Sequence, residues 1–125
     1  MNLDNPVIKL CMEGTQAEFQ GLVDQARSLY QKAREVAQDD YEACVAAHYV
    51  TRFQENHQDR LYWNQVALDK ANAVKDNSVQ EFYPSLFLNM GQSYELLGDF
   101  SEAKRYYGLA AKLGVIHQID EGKNP

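Results

Sequence analysis

An all-α fold made of repeated helical hairpins is predicted for this chain, and three observations predict it. The first is an internal echo: Gly14, Gly21, Ala26, Tyr30 and Ala33 recur 77 residues later as Gly91, Gly98, Ala103, Tyr107 and Ala110. Self-similarity at a fixed interval marks one supersecondary unit used more than once. The second is periodicity, because apolar side chains return every three or four residues along most of the chain, the spacing of a helix face. The third is the scarcity of strand signal. The one β-prone stretch, Tyr49-Val50-Thr51-Arg52-Phe53, is short and flanked by helix formers.

Each element follows from local chemistry. Asn5 before Pro6 reads as an N-cap with proline in the first turn, where its missing N–H costs nothing. Val7, Leu10, Cys11 and Gly14 then share a face, and Gly21 ends the first helix. A second helix from about Leu22 carries Val23, Ala26, Leu29, Tyr30, Ala33 and Ala37, and is expected to end near Asp39-Asp40. A third, from about Tyr41 to Gln54, is alanine-rich, and the polar run Glu55–Asp59 reads as a turn. The fourth holds Leu61, Trp63, Val66, Ala67, Ala71 and Val74. Ser78 and Glu81 suggest a capping box for the fifth, in which Pro84 demands either a kink or a later start. The fifth stops at Gly98; Asp99 and Glu102 cap the sixth, which stops at Gly114. Residues 115–125 read as a tail in which Val115, Ile116 and Ile119 are able to dock on the last helix.

Composition narrows the function classes. The 125 residues suit one domain with a real core. Twelve basic and eighteen acidic residues give a formal charge of −6, which argues against nucleic acid, whose binding needs a basic face, and against anionic lipid. No apolar run approaches the roughly 18 residues that a membrane span needs. The N-terminus lacks the basic and apolar regions of a secretory signal. Cys11 and Cys44 stand apart, with no paired-cysteine motif, so a cytoplasmic protein with incidental reduced thiols is expected.

The residues resemble tetratricopeptide repeats, helix–turn–helix units of about 34 residues. The best match is Phe87-x2-Met90-Gly91-x2-Tyr94 followed by Ala103-x3-Tyr107, with Leu97-Gly98-Asp99 as the turn. Ala26-x3-Tyr30 and Ala33 carry the first unit. A 34-residue step from Gly14 reaches His48 and from Ala33 reaches Ala67, but Arg60 and Asn64 replace the expected small and aromatic residues, so the middle unit is degenerate. The resemblance implies a right-handed α-α superhelix of about three hairpins spanning 1–114, with units of about 6–39, 40–76 and 78–114. In it Gly14, Ala26, Tyr30, Ala33, Ala67, Gly91, Tyr94, Ala103, Tyr107 and Ala110 are packing residues where helices cross.

Chemistry of other kinds finds no foothold. The phosphate-binding, nucleophile-elbow and metalloprotease motifs are absent. Cys44 and His48 share a helix face, but with Cys11 they make a poor zinc set, and neither a metal nor a cofactor is expected. The family binds peptides on the concave surface lined by the first helix of each unit. Carried over, that groove comprises Cys11, Thr15, Glu18 and Phe19, then Val45, Tyr49, Arg52 and Phe53, then Leu88, Asn89, Gln92 and Glu95. Arg52 beside two aromatics suits a peptide or carboxylate anchor; the competing reading pairs Arg52 with Glu55 and puts the aromatics in the core. Trp63, Tyr62 and Tyr83 are expected to pack around the long middle connection.

The resulting expectation is a non-enzymatic module that binds a protein or peptide, with no nucleic acid or membrane partner. Two alternatives stand beside it. One is a small-ligand or enzymatic role centred on His48 and Arg52. The other is a structural subunit that self-associates, as a homodimer through its end helices.

Overall fold

A computed structural model describes residues 4–116, and among them every regular element is helical. The chain runs α1 (Pro6–Phe19), α2 (Val23–Val36), α3 (Asp40–Thr51), α4 (His57–Ala73), a 3-10 turn (Gln80–Phe82), α5 (Tyr83–Leu96) and α6 (Phe100–Lys112). α1 lies against α2, α3 against α4 and α5 against α6. Further contacts join α2 and α1 to α3, and α4 to α5. Among the described residues no helix is long and apolar enough to cross a membrane.

The helix starts are written in short polar side chains. Asn5 Oδ1 accepts from the N–H groups of Val7 (2.9 Å) and Ile8 (3.2 Å), while its Nδ2 donates to Glu42 on α3 at 2.9 Å. The cap therefore also fixes where α1 meets α3. Asp39 accepts from the Glu42 N–H, so it opens α3 and does not close α2, which already ends at Val36. Asn56 accepts from the Asp59 N–H at 2.7 Å, so most of the run read as a turn is the cap and first turn of α4. α3 correspondingly stops at Thr51, short of Gln54.

The expected capping box at Ser78 and Glu81 does not form. The Ser78 N–H turns back to Asp76 Oδ1, the 3-10 turn follows, and α5 begins at Tyr83 with Pro84 in its first turn. A proline ring clashes with the carbonyl four residues earlier, so a later start satisfies it without a kink. Val79, buried beneath this connection, anchors it.

α1 and α5 end alike. The Gly21 N–H bonds Glu18 O and the Leu22 N–H bonds Ala17 O; Gly98 with Glu95 and Asp99 with Tyr94 repeat the pattern. These paired bonds close a left-handed cap, and the φ values of 76° at Gly21 and 82° at Gly98 explain why glycine stands there. At the far end Val115 is half-buried, but Ile116 is 82% exposed and does not dock on α6. Ile119 and the rest of 117–125 lie outside the described residues.

Two apolar clusters make the core, and α3 belongs to both. Val7, Ile8, Cys11, Ala26, Tyr30 and Ala33 join Val45, Ala46 and Val50 on one side of α3. Cys44 and Ala47 join Ala67, Leu68, Ala71, Val79, Leu86, Met90 and Tyr106 on the other. The small residues of α3 let α1, α2 and α4 come close around it. Trp63 packs against both clusters, with the Arg34 guanidinium 4.9 Å from its ring centre. Tyr62 rests edge-on against Trp63 but is 61% exposed, so it is not core; Tyr83, half-buried and bonded to Asn72, packs against the second cluster beside Phe87.

Candidate ligand cleft

The outer hairpins share one packing device. Gly14 and Gly91 lie under the rings of Tyr30 and Tyr107, and a Cβ added at Gly91 would stand 2.6 Å from Tyr107 Cε1. Each ring's hydroxyl is then held by a glutamate one turn on from the glycine: Tyr30 donates to Glu18 Oε1 at 2.5 Å and Tyr107 to Glu95 Oε1 at 2.7 Å. Ala26 and Ala103 complete the sets, both fully buried. Glu18 and Glu95, expected to face a groove partner, thus close tyrosines. The signal was present, since they too are 77 residues apart.

Between these hairpins opens a cleft of about 410 Å³ lined by Glu18, His48, Thr51, Arg52, Arg60, Asn64, Asn89, Gln92, Ser93 and Leu96. Its walls come from α1, α3, α4 and α5. Arg52 Nε and Nη2 pair with the two carboxylate oxygens of Glu18 at 3.0 and 3.2 Å, a bridge between helices in place of the local pairing with Glu55. Arg52 stays 50% exposed. Arg60 Nε donates to the carbonyl of Gln54 at 2.8 Å. Asn64, 7% exposed, spends both amide hydrogens on α5, donating to Ser93 Oγ (2.8 Å) and Asn89 O (3.3 Å). His48 Nδ1 lies 3.5 Å from Asn89 Nδ2.

The electrostatics follow from these contacts. Partial burial opposes ionisation of Glu18, but the Tyr30 hydroxyl and the Arg52 guanidinium outweigh it and hold the carboxyl below the usual range. Burial, and the proton donated to Glu18, push Tyr30 up to about 12. Burial, reinforced by Arg52, lowers His48, so its imidazole is neutral at neutral pH. Cys11 and Cys44 are free thiols pushed by burial up to about 12 and about 11; they sit in different core clusters. Among the described residues no three metal-ligating side chains gather.

Of the residues expected in a groove, Glu18, Arg52, Asn89 and Gln92 meet at this cleft. Val45 and Tyr49 line a smaller neighbouring cavity of about 170 Å³ with Cys44, His48, Glu81, Phe82, Ser85 and Leu86, so His48 stands between the two. Tyr49 stacks on Tyr30, with centroids 5.1 Å apart. Phe53 also leans on Tyr30 and faces away from the cleft towards Arg27. Thr15 donates to the Cys11 carbonyl and meets the Tyr30 hydroxyl. Leu88 is half-buried, and Phe19 is 88% exposed at the end of α1. Tyr94 stacks on Tyr106, and Ala33, Ala67 and Ala110 are buried. Reading the groove from first helices alone missed Arg60 and Asn64 on α4, although both were visible as departures from the repeat. Comparison with protein-family models, with curated proteins and with solved structures returns no match.

Proposed function

We propose that this chain is a tetratricopeptide-like, non-enzymatic interaction module that takes a peptide or a partner helix in the cleft between α3 and α5. The observation that carries the reading is the cleft: hydrogen-bonding side chains from four helices line it, and its rim is open enough to leave half of Arg52 exposed. Amides such as Asn89 and Gln92 suit an extended backbone, which offers a donor and an acceptor at each residue. A cytoplasmic setting is part of the reading, supported by two free thiols buried in separate clusters. Affinity purification with mass spectrometry, run beside an Arg52→Ala variant, tests it. Arg52→Ala should lose partner capture, while stability falls by less than about 1 kcal/mol, because a half-exposed ion pair contributes little. Unchanged capture would remove Arg52 from the site.

A second reading, self-association, has an observation of its own: Phe19, Leu22 and Val23 leave apolar surface exposed around the α1–α2 turn. Light scattering across a concentration series separates the two, because a module that binds partners in its cleft stays monomeric.

A further inference from the structure

A second hollow lies apart from the cleft and shares no residue with it. Side chains of α2, α3 and α4 line a cavity of about 340 Å³, a size that suits a small organic molecule. Ala43 and Ala47, one turn apart on α3, contribute only methyl groups, so the space that a larger side chain would fill stays open. Trp63, Tyr62 and Val66 of α4 supply an apolar wall. The Trp63 indole is only half-buried, and Tyr62 stands edge-on to it with ring centres 5.2 Å apart.

Two cations complete the lining, and their charge is not cancelled. Arg34 of α2 lies over the Trp63 ring, 4.9 Å from its centre, and makes no ion pair or side-chain hydrogen bond among the described residues. Contact with a ring face engages the charge of a guanidinium and leaves its N–H donors unspent. Lys70 of α4 stands 3.7 Å from Asp40 Oδ1, an exposed ion pair too long to be a hydrogen bond. Arg34 and Lys70 against Asp40 leave one positive charge at an otherwise apolar hollow, in a chain whose net charge is −6. We infer that this cavity binds a small aromatic monocarboxylate, its ring against Trp63, Tyr62 and the alanine methyl groups and its carboxylate paired with Arg34 and Lys70. A third ring packs well beside two others in stacked or edge-to-face order, and a guanidinium fork matches a carboxylate. A monoanion balances the single uncompensated charge, whereas a phosphate dianion would leave one negative charge unmatched beside Asp40. A free aryl acid and the C-terminal aromatic residue of a peptide both present this chemistry. The inference stands independently of what occupies the cleft.

Trp63 is the one tryptophan of the chain and lines this cavity but not the cleft, so its fluorescence reads the site directly. Fluorescence titration of the full chain is the test, with the Trp63 indole N–H and the Arg34 Nε–H followed in parallel by nuclear magnetic resonance. The probes are phenylacetate, its neutral analogue phenylacetamide, and cyclohexylacetate, which keeps the charge and lacks the aromatic face. Phenylacetate should change the fluorescence saturably and shift both N–H groups, with the other two probes weaker by about tenfold or more. Arg34→Gln should weaken phenylacetate by a similar factor; Arg34→Lys, which keeps the charge, should recover part of the loss, guarding against a merely misfolded variant. Lys32→Gln, exposed on the same helix and outside the cavity, should change nothing. N-acetyl-Gly-Phe with a free C-terminus separates the two sources. Binding as tight as that of phenylacetate assigns the site to a chain end, and weaker binding assigns it to a free acid. No response to phenylacetate at about 50 mM, a concentration at which even millimolar affinity saturates, overturns the site. Equal binding of phenylacetamide or cyclohexylacetate, or undiminished binding by Arg34→Gln, overturns it too.

Discussion

At Gly91 a methyl group would meet the Tyr107 ring at 2.6 Å, and that ring cannot swing away freely because its hydroxyl is held by Glu95. Overpacking of this kind costs about 1–3 kcal/mol, against roughly 1 kcal/mol that alanine returns in helix propensity. Gly91→Ala should therefore lower stability by up to about 2 kcal/mol in thermal unfolding. Gly108 is the internal control: it lies in α6, with nothing within 4 Å of an added Cβ. Gly108→Ala should raise stability by about 0.5–1 kcal/mol, and a loss there would mean that the α6 surface is covered. Glu18 gives a prediction in pH. Its folded-state pKa lies below the unfolded one, so its stabilisation is whole above the unfolded value of about 4.3 and is lost as pH falls through the folded value. His48, also lowered, destabilises the fold on protonation, beginning at a higher window below about pH 6.5. Denaturant titrations of wild type and Glu18→Gln should differ at pH 7 and converge as pH falls through the folded-state value, below which Glu18 is protonated in both states. A gap that persists in acid would mean that Glu18 acts through packing.

Helix ends separate what this sequence shows from what it hides. Asn56 accepts a true capping bond, so Asn56→Ala should cost about 1 kcal/mol. Ser78, which looks as good a cap in the sequence, turns its backbone N–H and its side chain to Asp76 in an exposed connection and caps no helix, so Ser78→Ala should stay within about 0.5 kcal/mol. Paired denaturation curves check both, and equal losses would put the start of α5 back at Ser78. The six helices and their glycine stops were legible because periodicity, caps and positive-φ glycines are local signals. The order of the cap at Asp39 was not, because Asp39 and Asp40 suit the end of one helix as well as the start of the next. The cleft was half legible: Glu18, Arg52, Asn89 and Gln92 follow from repeat register, whereas the Arg52–Glu18 bridge joins residues 34 positions apart and depends on how hairpins meet. Phe53 shows the limit most sharply. It sits in register with groove positions, yet its ring is drawn to Tyr30, because burying a large apolar face outweighs register at a helix end.

Across the whole molecule, α3 decides whether the protein unfolds as one body. A helical array stabilised only between neighbours can lose one end while keeping the other. Here both core clusters are built on α3, Val45, Ala46 and Val50 serving one and Cys44 and Ala47 the other. Melting either cluster would strip one face of α3 and expose alanines that have too little apolar surface to hold the helix alone. Ile8, in the first cluster, and Met90, in the second, are both buried. Each truncation to alanine should cost about 2–5 kcal/mol, and each should shift a single transition of unchanged steepness. Trp63, the one tryptophan of the chain, touches both clusters, so its fluorescence reports on either. In Ile8→Ala and in Met90→Ala the fluorescence curve and the helical circular dichroism curve should coincide. If helix content survived in part after the tryptophan signal of Ile8→Ala had gone, the two clusters would be separate folding units, and α3 would be the boundary between them.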